Sequence, residues 1–226
     1  MVAGVRKLKN IYQLLLKEYG EQGWWPVKGV YSPLFKKRKK TASEQFEICI
    51  GAILAQNTSW KNAEKALCNL RESGVLNQKS MKKLTQKELG TLIRSAGYYN
   101  LKAKKIMEFL KYSGEIEREK LLKIWGCGPE TVDSILLYGY QIPVFIADAY
   151  ARRIFVRLGI VKKNVKYEEL REYVENVIEK DAEMLNEYHA LLVRHAKKHC
   201  KTKPECISCP LRKMCKNKEI KNRKAN

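Results

Sequence analysis

The chain has 226 residues, a formal net charge of +21 and 45% hydrophobic residues, which is enough apolar content for a folded core and rules out collagen-like, coiled-coil and disordered classes. Such a positive excess calls for a polyanionic partner, nucleic acid first and an anionic membrane surface second. The longest charge-free stretch, Ser134 to Ala147, contains Gly139 and Pro143 and is too short to cross a bilayer, while Lys17 and Glu18 interrupt the first apolar run before it could act as an export signal, so a cytoplasmic chain without a membrane partner is expected.

From the N-terminus, Leu8, Ile11, Tyr12 and Leu15 recur at helical spacing. Trp24 to Lys40 contains Pro26, Gly29 and Pro33 and ends in Lys36-Lys37-Arg38-Lys39-Lys40, and it reads as a basic loop before a helix that begins near Ser43. Gln56 follows that apolar helix and precedes Asn57, Thr58 and Ser59, any of which can cap a helix starting near Trp60. Ala103, Ile106, Met107 and Leu110 mark another helical stripe, and two further helical patterns meet at Gly126-Cys127-Gly128, with Pro129 in the first turn of the second. Pro143 to Ile146 is a short extended connection, after which Asp148 can cap a helix over Ala149 to Leu158. Leu185, Tyr188, His189 and Leu192 lie on a last helical stripe, and His189, His195 and His199 read as packing or surface residues rather than ligands. No segment shows sustained period-2 alternation, so the expected class is all-α with about ten helices.

Three features carry chemistry. The two glycines of the Gly126–Gly128 turn permit a tight bend and close approach of a phosphate to backbone N–H groups, although an ordinary helical hairpin has the same pattern. Asp148 is either a plain helix cap or an acid at a site. Cys200, Cys206, Cys209 and Cys215 cluster near the C-terminal end while Cys49, Cys68 and Cys127 are scattered, which fits a reducing compartment and one metal site, either zinc or [4Fe–4S]. From Arg194 onward twelve Lys and Arg stand against Glu205 and Glu219, and the final Lys/Asn-rich residues are expected to fray.

Gly126-Cys-Gly-Pro-Glu-Thr-Val followed by Asp148 resembles the helix-hairpin-helix plus Gly/Pro-Asp signature of the endonuclease III superfamily of DNA glycosylases. Ile53-Leu-Ala-Gln-Asn-Thr58, Gly97-Tyr-Tyr-Asn-Leu-Lys-Ala103 and the cysteine cluster extend the similarity over residues 43 to 216. The resemblance implies a two-lobed helical fold, with a helical barrel domain over 43–141, a second domain from 1–42 and 142–226, and a cluster loop over 200–215. It places Asp148 at the cleft as the catalytic acid, where a carboxylate stabilises the oxocarbenium-like sugar and orients water. Gln56, Gly126, Cys127, Gly128, Glu130 and Thr131 become the expected DNA-binding positions, with Gln56 entering the gap left by a flipped nucleotide.

Bifunctional members carry lysine immediately before the hairpin threonine, and here that position is Glu130, which cannot form an imine. The resemblance therefore implies a monofunctional enzyme acting, as a monomer, on double-stranded DNA that contains a damaged base. Trp24-Trp25-Pro26 and Phe46 are similar to the base-sandwiching residues of 3-methyladenine glycosylases built on this fold, and an aromatic face attracts a cationic alkylated purine. Packing onto the core is the other ordinary role of such a tryptophan pair. The family's cluster loop is Cys-x6-Cys-x2-Cys-x5-Cys, so the loop here is one residue short in its first spacer yet closer to [4Fe–4S] than to a zinc pattern. A uracil or thymine mismatch glycosylase and a non-catalytic iron–sulfur DNA-binding protein are the alternatives.

Overall fold

The computed structural model describes residues 2–216; the end of the basic tail lies outside the described residues. Among the described residues there are eleven α-helices and no strand beyond one isolated bridge between Val27 and Val30. The chain divides into two compact units, Met1–Gln22 with Pro143–Asn226, and Gly23–Ile142.

The first unit is built from α1 (Val2–Tyr19), α9 (Ala149–Arg157), α10 (Tyr167–Val177) and α11 (Ala182–Lys198). Helix α11 packs on both α1 and α9, which makes it the spine of this unit. Leu8, Ile11 and Leu15 of α1, three of the four residues of the first helical stripe, are fully buried, and Tyr12 at its edge is half-buried. Tyr188 of α11 is also buried, and its hydroxyl donates to the Leu8 carbonyl at 3.0 Å, so this large aromatic keeps its polar tip satisfied inside the core. Phe145, on the extended connection, stacks on Phe155 of α9.

The second unit holds α2 (Ala42–Leu54), α3 (Trp60–Glu72), α4 (Gln78–Met81), α5 (Gln86–Leu92), α6 (Tyr99–Lys111), α7 (Arg118–Leu121) and α8 (Pro129–Ser134), which continues into a wider π-type turn at Ile135–Gly139. Apolar α2, with Ile48, Ile50, Ile53 and Leu54 all buried, runs through its centre. Thr41 and Glu44 close a capping box at its start, and the helix begins at Ala42, one residue before the expected Ser43.

This unit begins at Gly23 and so includes the basic segment. The basic segment is tied to α2: the Lys28 N–H and the Arg71 guanidinium both donate to Glu47, and Arg38 makes a two-pronged pair with Glu44 at 2.6 and 2.8 Å. Nor is the segment a solvated loop throughout. Lys36 and Lys40 are buried, with the Lys40 amine donating to the Phe35 carbonyl at 2.6 Å, and burial lowers its pKa.

Candidate DNA interface and catalytic residues

Gly126 carries φ +89°, a conformation L side chains rarely adopt, and a Cβ there would overlap the Lys105 side chain. Gly128 is the N-cap of α8 and Pro129 opens its first turn. Arg118 of α7 grips fully buried Asp133 of α8 with two bonds, 2.7 and 3.2 Å, which fixes the two arms of the hairpin against each other. Gln56 is committed to this turn: its amide donates to the Gly126 carbonyl at 3.0 Å and to the Thr131 hydroxyl at 2.9 Å, and its oxygen accepts from Lys105 at 2.5 Å. The expected reach of Gln56 into a duplex thus requires release of three bonds. Cys127 and Thr131 are buried, so their side chains are not DNA contacts in this conformation, whereas Gly128 and Glu130 are exposed. Burial pushes the Cys127 thiol up to about 11.

Two exposed aromatics in this unit escaped the sequence reading. Tyr98 is 71% exposed at φ +47°, and Trp125, directly before Gly126, is 48% exposed with the Lys104 amine 4.6 Å above its ring. An aromatic next to a lysine, flanking a hairpin turn, suits base stacking beside a phosphate. Lys102 is buried, donates to the carbonyls of Leu54 and Ala96, and so joins the segment before Gln56 to the one before Tyr98; burial, with Lys105 adding to it, lowers its pKa to about 8.

Trp24 and Trp25 belong to a ring cluster with Trp60, Tyr31 and Tyr138. Trp25 and Pro26 are buried, Trp25 lying against Gly51 of α2, and Trp24 is half-buried at the edge. The structure does not bring Phe46 into this cluster. On α2 Phe46 shares a flank with Cys49, while Glu47 and Gly51 share another, as the i, i+3 and i, i+4 spacings require. Phe46 and Cys49 line a hollow of about 440 Å³ together with Phe109 and Tyr140.

In the other unit Asp148 is the N-cap of α9 and is 6% exposed, with Oδ1 accepting from the Ala151 N–H at 2.7 Å. Its Oδ2 lies 3.4 Å from Nε2 of His189. From sequence His189 reads as a packing or surface residue, because nothing local reveals a partner on another helix.

Cys200, Cys206, Cys209 and Cys215 line one cavity, together with His195, His199 and Arg157. Arg157 donates to Cys200 Sγ at 3.3 Å and to the carbonyls of Lys201 and Thr202. Both histidines are buried in the wall of this cavity, the packing side of the packing-or-surface reading: His195 Nε2 is 3.7 Å from Cys209 Sγ, and its Nδ1 pairs with the Tyr19 hydroxyl at 2.9 Å. Burial, reinforced by the neighbouring thiols, raises Cys209 to about 11, so a thiolate there needs a positive centre beside it. Four thiols facing one space and an arginine bonded to a sulfur are a donor set suited to an iron–sulfur cluster. Among the described residues no three His, Cys, Asp or Glu side chains converge as tightly as a single ion demands.

Residues 50–180 match the family model described as HhH-GPD superfamily base excision DNA repair protein. A protein of Methanocaldococcus jannaschii provisionally named a DNA repair glycosylase, MJ1434, is 40% identical over 92% of this chain and 96% of its own length. The endonuclease III of Sulfolobus acidocaldarius is 31% identical over 76% of this chain and 81% of its own. Among solved structures, H. pylori 3-methyladenine DNA glycosylase (MagIII) bound to 1,N6-ethenoadenine superimposes with a TM-score of 0.67 at 26% identity, covering 86% of this chain and 97% of that one. The chain belongs to the HhH-GPD superfamily of base excision DNA repair proteins and is a DNA glycosylase of endonuclease III-like, all-α type. Among the described residues no helix is long and apolar enough to cross a membrane.

Proposed function

We propose that the chain is a monofunctional DNA N-glycosylase that hydrolyses the bond between deoxyribose and an alkylated purine such as 3-methyladenine in double-stranded DNA. The observation that carries this reading is the pairing of roles at two positions: a buried carboxylate, Asp148, fixed at the start of α9, and a carboxylate rather than an amine, Glu130, in the first turn of the hairpin's second helix. As the glycosidic bond lengthens, the sugar becomes positively charged, and Asp148 stabilises that charge and orients or deprotonates the attacking water. A ring-alkylated adenine is a cation that departs without protonation, so the protein's task is selection. The half-buried Trp24, backed by Trp25 and Trp60, supports selection by an aromatic face that favours a desolvated cation by about 2 kcal/mol or more. Cys200, Cys206, Cys209 and Cys215 would hold a [4Fe–4S] cluster, zinc being the alternative, and the cluster would supply a structural brace to the basic loop around it.

The test is a panel of duplexes containing 3-methyladenine, ethenoadenine, uracil or a T·G mismatch, with the released base identified by chromatography. Release of the alkylated purines is expected, and Asp148→Asn is expected to lose release by about 10³-fold while still binding DNA. Release confined to uracil or thymine would replace the substrate class, release of nothing would leave a DNA-binding protein, and unchanged turnover of the variant would end the role of Asp148.

A further inference from the structure

Asp148 is held from two directions by groups of different character. Oδ1 takes the Ala151 N–H at 2.7 Å, a backbone contact set by the helix itself, and Oδ2 faces His189 Nε2 at 3.4 Å, a side chain delivered by α11. Both side chains are sheltered, with relative exposures of 10% for His189 and 7% for Asp148, so water does little to screen the pair. A carboxylate held only by its cap bond keeps freedom to rotate about that bond, and a ring packed 3.4 Å from the other oxygen, in contact though outside hydrogen-bond geometry, restricts it. The neighbours of His189 make it a rigid support: Tyr188 is bonded to the Leu8 carbonyl and Glu187 accepts the Gln22 N–H at 2.7 Å, so this turn of α11 is fastened to α1 and to the segment that follows it.

We infer that His189 is a positioning residue for Asp148, fixing the orientation of Oδ2 so that the carboxylate presents one constant geometry to the developing sugar cation. This rests on the reading of Asp148 as the residue that assists hydrolysis. Sub-ångström placement of a charge-stabilising group governs how much it contributes to the transition state and contributes little to binding of the ground state.

The experiment is a double-mutant cycle on the full chain with His189→Ala, Asp148→Asn and their combination, joined by His189→Gln, which keeps an N–H donor at similar reach. Single-turnover base release, DNA affinity and the melting temperature are measured for each. His189→Ala is expected to slow release roughly tenfold with DNA affinity unchanged, His189→Gln to recover most of the loss, and the alanine change to cost nothing further in the Asp148→Asn background. The chain has three histidines, so the imidazole ¹⁵N signals of His189 can be assigned, and they should move when Asp148 becomes asparagine whether or not any base is released. An unmoved signal, or an equal slowing in both backgrounds, overturns the inference while leaving the glycosylase reading intact. Failure of the wild-type protein to release a base from any duplex removes that reading and the catalytic meaning of the pair with it, even where the ¹⁵N shift reports the contact.

Discussion

A carboxylate at residue 130 limits the chemistry available to the hairpin. An amine there could attack the sugar and form an imine; a carboxylate has no such route, and its charge suits the start of a helix while repelling phosphate. Borohydride treatment of the protein on damaged duplex is therefore expected to trap no covalent adduct, with an endonuclease III run alongside as the positive control. An adduct would show that another lysine acts as nucleophile. At this scale the legible residues are those whose signal is local. Asp148 announces itself as a cap because the apolar helix starts directly after it, and Gly126 because the turn needs a positive φ. Residues whose role depends on a distant partner stay hidden: His189 becomes informative only when α11 packs against α9, and Trp60 only when the Trp24–Trp25 segment folds back onto α3. Phe46 is grouped with the tryptophans by the resemblance to 3-methyladenine glycosylases, and the angular spacing of α2 separates them.

Helices were readable from their apolar stripes, and their ends less so. Ser59 occupies the N-cap of α3, which starts at Trp60 as expected but without a side-chain cap bond, and α2 starts at Ala42, one residue before Ser43, with Thr41 as its N-cap. The capping box at α2 also carries a measurable pH dependence. The Arg38 guanidinium, together with bonds from Thr41, holds Glu44 well below the usual carboxylate range, at about 2. A depressed carboxylate stabilises the fold above its unfolded pKa, and that contribution is lost as pH falls from about 4.5 towards about 2. Glu44→Gln keeps the shape but loses the ion pair. The variant should melt a few degrees lower at pH 7, roughly 2–4 °C per kcal/mol for a chain of this size, and the gap to the wild type should close between pH 4.5 and 2. Melting scans across pH check this, and a gap that stays constant with pH would show that the pair contributes nothing through ionisation. The contacts that fasten residues 23–41 to α2, the Arg38–Glu44 ion pair and the Lys28 N–H on Glu47, leave no periodic trace in the sequence.

Seen across the whole chain, charge and cysteine placement were legible because both are compositional, while their mechanical connection was not. Helix α9 joins them. Asp148 stands at its first end, and at its last end Arg157 and Arg153 clasp the carbonyls of Cys200, Lys201 and Thr202 while the Lys216 N–H returns to the Arg157 carbonyl at 3.0 Å. The cysteine loop is thus latched to α9 at both of its ends, and a cluster bridging Cys200, Cys206, Cys209 and Cys215 would close that latch covalently, stabilising the folded state by its binding free energy. Freshly purified protein should be brown, with broad visible absorption and four irons per chain by elemental analysis. Cys209→Ser should bleach the colour, lower the melting temperature by roughly 5–10 °C and slow base release more than it weakens DNA binding, because slack at the far end of α9 reaches the carboxylate at its start. A colourless protein with one zinc per chain would replace the cluster. A bleached variant with undiminished melting temperature would show instead that the protein contacts around Arg157 hold the loop unaided.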